Sequence, residues 1–122
     1  FLKTVGVAMN YGSSTAQGVN ALKQVWRGKG VDLTGFRPLD GSGLSPQNGL
    51  TALNMTGILT AAAKEPWFPQ FYASIPVLGV SGTVKNLGRR TPAANNVRAK
   101  SGSIGGVRCY AGYFTTKTGE LM

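Results

Sequence analysis

The sequence predicts a mixed α/β (α+β) fold: an antiparallel sheet with flanking helices. Two apolar stripes at helical spacing and one glycine-centred strand pair in the last third carry that expectation. With 122 residues the chain is long enough for one domain around a single core, and no internal boundary is expected between residues 1 and 122.

The first helix is expected over about 14 to 28. Ser14-Thr15-Ala16-Gln17 fits a capping box, in which hydroxyl and amide satisfy helix-end donors reciprocally. Val19, Leu22 and Trp26 follow at helical spacing, and Gly28-Lys29-Gly30 stops the run. Phe36 to Leu39 reads as a short extended piece, and Asp40-Gly41-Ser42-Gly43 as a turn. A second helix is expected from about 51 to 64, where Met55, Ile58, Leu59 and Ala62 repeat on one face before Pro66 ends it. Trp67 to Ser74 reads as a short helix and Thr83 to Leu87 as another helical turn, with Trp26 and Trp67 as core anchors.

Val97 to Ser103 and Val107 to Thr116 then form a hairpin about Ile104-Gly105-Gly106. In its second strand Cys109, Ala111 and Tyr113 alternate with Tyr110, Gly112 and Phe114, which predicts that both faces are covered. Thr116-Lys117-Thr118-Gly119 turns into a third strand. The first and last residues read as cut ends.

Thirteen Lys and Arg against four Asp and Glu give a net charge of +9, which favours anionic partners. The charges are scattered, and the only adjacent pair is Arg89-Arg90, so no basic block marks a nucleic-acid patch. A small basic nucleic-acid-binding domain is nevertheless the alternative reading, with Tyr110, Tyr113 and Phe114 as stacking faces. Cys109 is alone and there is no His, which excludes an internal disulfide, a Ser-His-Asp triad, a Cys-His pair and the commonest zinc ligand from these residues. No metal or cofactor is expected. No apolar run reaches the roughly 18 residues of a membrane span, and no signal peptide opens the sequence.

The most informative local feature is Ala99-Lys100-Ser101-Gly102-Ser103 beside a glycine turn. An ammonium, a hydroxyl and a residue without a Cβ suit a carboxylate-binding strand edge. Lys100 and Ser101 start on opposite faces of a strand, so a site using both must lie where the long Lys can curl back.

Three blocks in order, Asp40-Gly41-Ser42-Gly43-Leu44-Ser45, Ala99 to Val107, and Ala111-Gly112-Tyr113-Phe114-Thr115-Thr116, resemble the low-molecular-mass class C penicillin-binding proteins, which are serine D-alanyl-D-alanine carboxypeptidases and endopeptidases of bacterial cell walls. The resemblance extends over roughly residues 36 to 122. It implies part of a β-lactamase/transpeptidase-like fold and an extracytoplasmic, periplasmic setting. It also implies a peptidoglycan peptide ending in D-Ala-D-Ala as substrate, and β-lactams as inhibitors.

That family uses Ser-x-x-Lys, Ser-x-Asn and Lys-Thr/Ser-Gly. Only the third is present, as Lys100-Ser101-Gly102: no Lys has a Ser three before it and no Asn a Ser two before it. Ser-x-Asn is expected within some tens of residues upstream of Phe1. By the resemblance, Lys100 supplies positive field beside the Ser-x-Asn hydroxyl. Ser101 and Gly102 bind the free carboxylate, and the backbone N–H of Ser103 forms half of the oxyanion hole. Ser42 and Ser45 lack both a Lys at +3 and a nucleophile elbow. Lys117-Thr118-Gly119 matches the third motif literally but reads as a turn. Ser81-Gly82-Thr83 stands where an Asp-Gly turn is expected in relatives, which puts the local geometry there in question.

Overall fold

A computed structural model describes residues 1–122. The chain divides into two compact units, Phe1–Lys64 and Glu65–Met122, each described by itself.

In the first unit α1 (Leu2–Ala8), α2 (Thr15–Gly28) and α3 (Ala52–Ala62) are joined by turns. The Ser14 hydroxyl accepts from Gln17 N–H at 3.1 Å while Gln17 Oε1 accepts from Ser14 N–H at 2.9 Å, so the expected capping box opens α2. Helix α1 is not among the sequence expectations. It packs on α2 through Gly6 and Gly18, where a Cβ on Gly6 would meet backbone atoms of Gly18 at 3.1 and 3.2 Å. Leu2, Val19 and Ala21 are buried there.

A second capping box, absent from the sequence reading, opens α3. Thr51 Oγ1 accepts from Asn54 N–H at 3.0 Å and Asn54 Oδ1 accepts from Thr51 N–H at 3.0 Å. Asn54 is fully buried, and its amide also donates to the carbonyls of Asp32 and Thr34 at 2.9 and 3.0 Å. All of its donors and one acceptor are used, which lets a buried polar side chain tie a loop to a helix without a desolvation penalty.

In the second unit β1 (Val97–Ile104) pairs antiparallel with β2 (Val107–Phe114), from Val97 opposite Phe114 to Ile104 opposite Val107. The hairpin turn is Gly105-Gly106 alone. Their φ values of 46° and 83° fit the type I′ geometry that two-residue hairpins favour, so Ile104 belongs to the strand rather than to the turn. Pro76 to Leu78 lies along the opposite edge of β1: Ala99 N–H donates to Pro76 O and Leu78 N–H to Val97 O, both at 2.9 Å. On the far side of β2, Phe114 and Met122 exchange two backbone bonds at 2.8 and 2.9 Å, the start of the expected third strand.

Helix α4 (Phe68–Ser74) covers one face of the hairpin. The rings of Phe68, Phe71 and Tyr72 meet Tyr113 at 5.2 to 6.5 Å, mostly edge-on, and Tyr113 is only 4% exposed. Arg98 reaches the C-terminal end of α4, where one guanidinium nitrogen donates to Ile75 O at 3.0 Å and Ala73 O at 3.2 Å, and the group lies 4.9 Å from the Tyr72 ring centroid. The expectation of two covered faces needs correction, because Tyr110 and Phe114 on the opposite face are 48% and 44% exposed. Trp67 also departs from its expected core role: it precedes α4, stands edge-on to Phe71 and is 44% exposed. No helix is long and apolar enough to cross a membrane.

Candidate active site

The backbone direction of β1 is settled by its two neighbours. In an antiparallel strand successive residues point their N–H and C=O groups to alternate edges. Val97 and Ala99 bond outward to Leu78 and Pro76, so Ser101 and Ser103 also point outward, away from β2. The Pro76 to Leu78 segment runs back into α4, which ends at Ser74, and no strand of the two-stranded sheet lies beside Ser101 to Ser103. Two backbone N–H groups therefore line an open edge.

Lys100 starts on the opposite course, with its backbone paired to Ala111. Its exposed side chain curls round to donate from Nζ to Ser101 O at 2.7 Å, which puts the ammonium at the same open edge. Ser101 is half-buried, and its hydroxyl donates to Thr83 Oγ1 at 2.7 Å. Gly102 faces Cys109, and a Cβ there would stand 2.8 Å from Cys109 Sγ. Glycine at this position thus has a packing reason as well as the ligand clearance read from the sequence. Ser103 is exposed opposite Arg108, and the hairpin holds Arg98, Lys100 and Arg108 but no acidic residue. An ammonium, a hydroxyl and two outward N–H groups within four consecutive residues can hold an anionic oxygen pair.

The other sequence candidates fall into turns. Asp40 Oδ1 accepts from Ser42 N–H at 2.9 Å, Ser42 Oγ at 3.1 Å and Gly43 N–H at 2.7 Å, and Oδ2 accepts from Ser45 N–H at 2.8 Å. The Ser42 hydroxyl is occupied in holding this turn. Lys117-Thr118-Gly119 lies in the turn after β2, with Gly119 at φ 86° and Glu120 N–H donating to Thr116 Oγ1 at 3.0 Å. At Ser81 the turn forms without an Asp, because Ser81 Oγ accepts from Val77 N–H at 2.9 Å as a carboxylate would.

The Gly43 N–H holds the Asp40 carboxyl at about 2 against a usual 3.8, with Ser45, Asn48 and Ser42 acting in the same direction and partial burial against it. A carboxyl whose pKa is depressed on folding stabilises the fold above its unfolded value and loses that contribution as pH falls through the folded value. The turn is therefore expected to stay formed down through pH 4 and to open as pH falls towards about 2. Amide chemical shifts of Ser42, Gly43 and Ser45 should titrate together near that value; midpoints near 4 would contradict these hydrogen bonds.

The fold that carries this edge, a helix-covered antiparallel hairpin, is that of the penicillin-binding carboxypeptidases. The crystal structure of penicillin binding protein 4 (dacB) from Haemophilus influenzae, complexed with a novel β-lactam, matches with a TM-score of 0.84 and 31% identity over 98% of this chain and 28% of that one. D-alanyl-D-alanine carboxypeptidase of Actinomadura sp. (strain R39) is 35% identical over 125 residues, covering 98% of this chain and 23% of the relative. D-alanyl-D-alanine carboxypeptidase DacB of Haemophilus influenzae is 34% identical over 121 residues, covering 95% of this chain and 25% of the relative. The chain belongs to the D-Ala-D-Ala carboxypeptidase 3 (S13) family, whose model matches residues 1–122. It spans about a quarter of the length of these curated relatives (23% and 25%).

Proposed function

We propose that this chain supplies the carboxylate-binding wall of a serine-type D-Ala-D-Ala carboxypeptidase or endopeptidase, as part of one penicillin-binding D,D-peptidase domain. The observation that carries the reading is the Lys100 ammonium curled to the open edge of β1, where the N–H groups of Ser101 and Ser103 point outward. Membership of the S13 family supports it.

In that reading a Ser of the Ser-x-x-Lys motif, which these 122 residues do not contain, attacks the carbonyl carbon of the terminal D-Ala-D-Ala bond. The carbonyl oxygen gathers negative charge, and the Ser103 N–H donates to it. The C–N bond then breaks, the amine of the departing D-alanine takes a proton, and water hydrolyses the ester. Lys100 supplies positive field and a donor beside the Ser-x-Asn hydroxyl. Ser101 donates to the free carboxylate, with Gly102 leaving the edge clear. β-Lactams would acylate the same Ser, and the H. influenzae relative was crystallised with one. The substrate class is a peptidoglycan stem peptide, which places the site outside the cytoplasm, in the cell envelope.

Fluorescent penicillin tests this directly. A full-length chain carrying Ser-x-x-Lys is expected to become covalently labelled, and residues 1–122 alone are expected to stay dark. Labelling of the 122-residue chain would sink the assignment of the nucleophile to another segment, and a dark full-length protein would sink the carboxypeptidase reading.

A further inference from the structure

We infer that Thr83 is a positioning residue for Ser101: it sets the direction in which the Ser101 hydroxyl donates, and so makes the site select ligands with a free carboxylate. The inference rests on the carboxypeptidase reading above and deepens it.

The two hydroxyl oxygens are 2.7 Å apart, a separation that requires one hydrogen between them. In this structure Ser101 provides it and Thr83 accepts. A hydroxyl has one proton, and a carboxylate only accepts. Ser101 can therefore donate to a ligand carboxylate only if the bond between the hydroxyls reverses, with Thr83 donating to Ser101 Oγ while Ser101 donates to the ligand. The reversal leaves every proton on its own oxygen and rotates two O–H bonds. In the resulting chain each bond polarises the next, which strengthens donation to the anion.

Thr83 is held for this task by its surroundings rather than by burial of its own, since it is exposed. Gly82 and Val84 flank it in a single 3-10 turn, with Gly82 at φ 57°, where a Cβ would stand 2.8 Å from the Pro76 ring. Val84 is fully buried and its carbonyl accepts from Gly79 N–H at 3.1 Å. Ser81 exchanges two bonds with Val77, at 3.0 and 2.9 Å. Pro76 to Leu78 is itself bonded to β1. Thr83 and Ser101, 18 residues apart, therefore hang from one hydrogen-bonded frame.

The test uses the full-length enzyme with one peptide ending in D-Ala-D-Ala, offered with its free C-terminal carboxylate and as the C-terminal amide. Thr83→Val removes the hydroxyl and keeps the shape. The expected result is a fall of about tenfold or more in kcat/KM on the acid, the scale of a lost hydrogen bond to a charged group, little change on the amide, and recovery of the acid rate in Thr83→Ser. An equal loss on both peptides would mark a merely structural role and overturn the inference, as would an unchanged acid rate. Thr83→Ala reports the same ratio if the valine variant does not fold. Labelling of the wild type by fluorescent penicillin separates the two levels: a labelled enzyme with an unchanged acid-to-amide ratio in Thr83→Val overturns the role of Thr83 alone, and an unlabelled wild type overturns the reading beneath it.

Discussion

Lys100→Ala in a full-length chain carrying Ser-x-x-Lys is expected to lower the acylation rate by fluorescent penicillin about 100-fold or more, the scale on which a single charge-stabilising donor contributes in an active site. The Lys100 ammonium lies at the open edge of β1, where it donates to the Ser101 carbonyl at 2.7 Å. A carbonyl leaves the net charge of the ammonium uncompensated, and the hairpin around it contains no acidic side chain. The field of Lys100 is thus available to an incoming anion. Because the side chain is exposed, its truncation should alter stability by less than about 0.5 kcal/mol. A rate effect would therefore report chemistry rather than unfolding. Lys100→Arg keeps the charge but spreads it over a planar fork, and partial recovery is expected there. An alanine variant that acylates close to the wild-type rate would remove Lys100 from the site.

Local signals made much of this structure legible in the sequence. The Ser14 to Gln17 box, the apolar stripe of α3 and the Gly105-Gly106 hairpin are each encoded within a few residues, and each is found where the spacing places it. What stayed hidden depends on contacts between distant residues. Helix α1 is one of the two shortest α-helices, at 7 residues, and is held by a close approach to Gly18 that its own pattern does not advertise. The Thr51 cap uses Asn54, where the familiar signature has Glu or Gln. Pro76 to Leu78 contains no strand-length pattern and is extended only because β1 pairs with it. The site divides in the same way. Lys100 to Ser103 is contiguous and readable, whereas the hydroxyl partner of Ser101 comes from a turn 18 residues earlier and leaves no motif.

Gly112→Ala is expected to be the most damaging small substitution in the second unit. Gly112 lies opposite Ala99, and the outward bonds of Val97 and Ala99 make this a non-hydrogen-bonded pair, where antiparallel backbones come closest. A Cβ on Gly112 would press on the Arg98 carbonyl and stand 2.7 Å from Ala99 Cα. These are backbone atoms, so no rotamer change relieves the overlap and the two strands must separate. The pair is also poorly placed to yield: Ala99 is 6% exposed and bonded to Pro76, while Tyr113 next to Gly112 is locked under three α4 rings. Overpacking of this kind costs about 1–3 kcal/mol or more, read as a lower urea midpoint at unchanged slope. Lys100 and Ser101 follow Ala99 directly, so acylation should fall with stability rather than independently of it. Gly28→Ala is the matched control, because its Cβ would meet nothing within 4 Å at the end of α2. Equal urea midpoints for the two variants would show that the strands can part at Gly112 without strain, and would remove the close β1–β2 approach as the feature that holds the site strand in place.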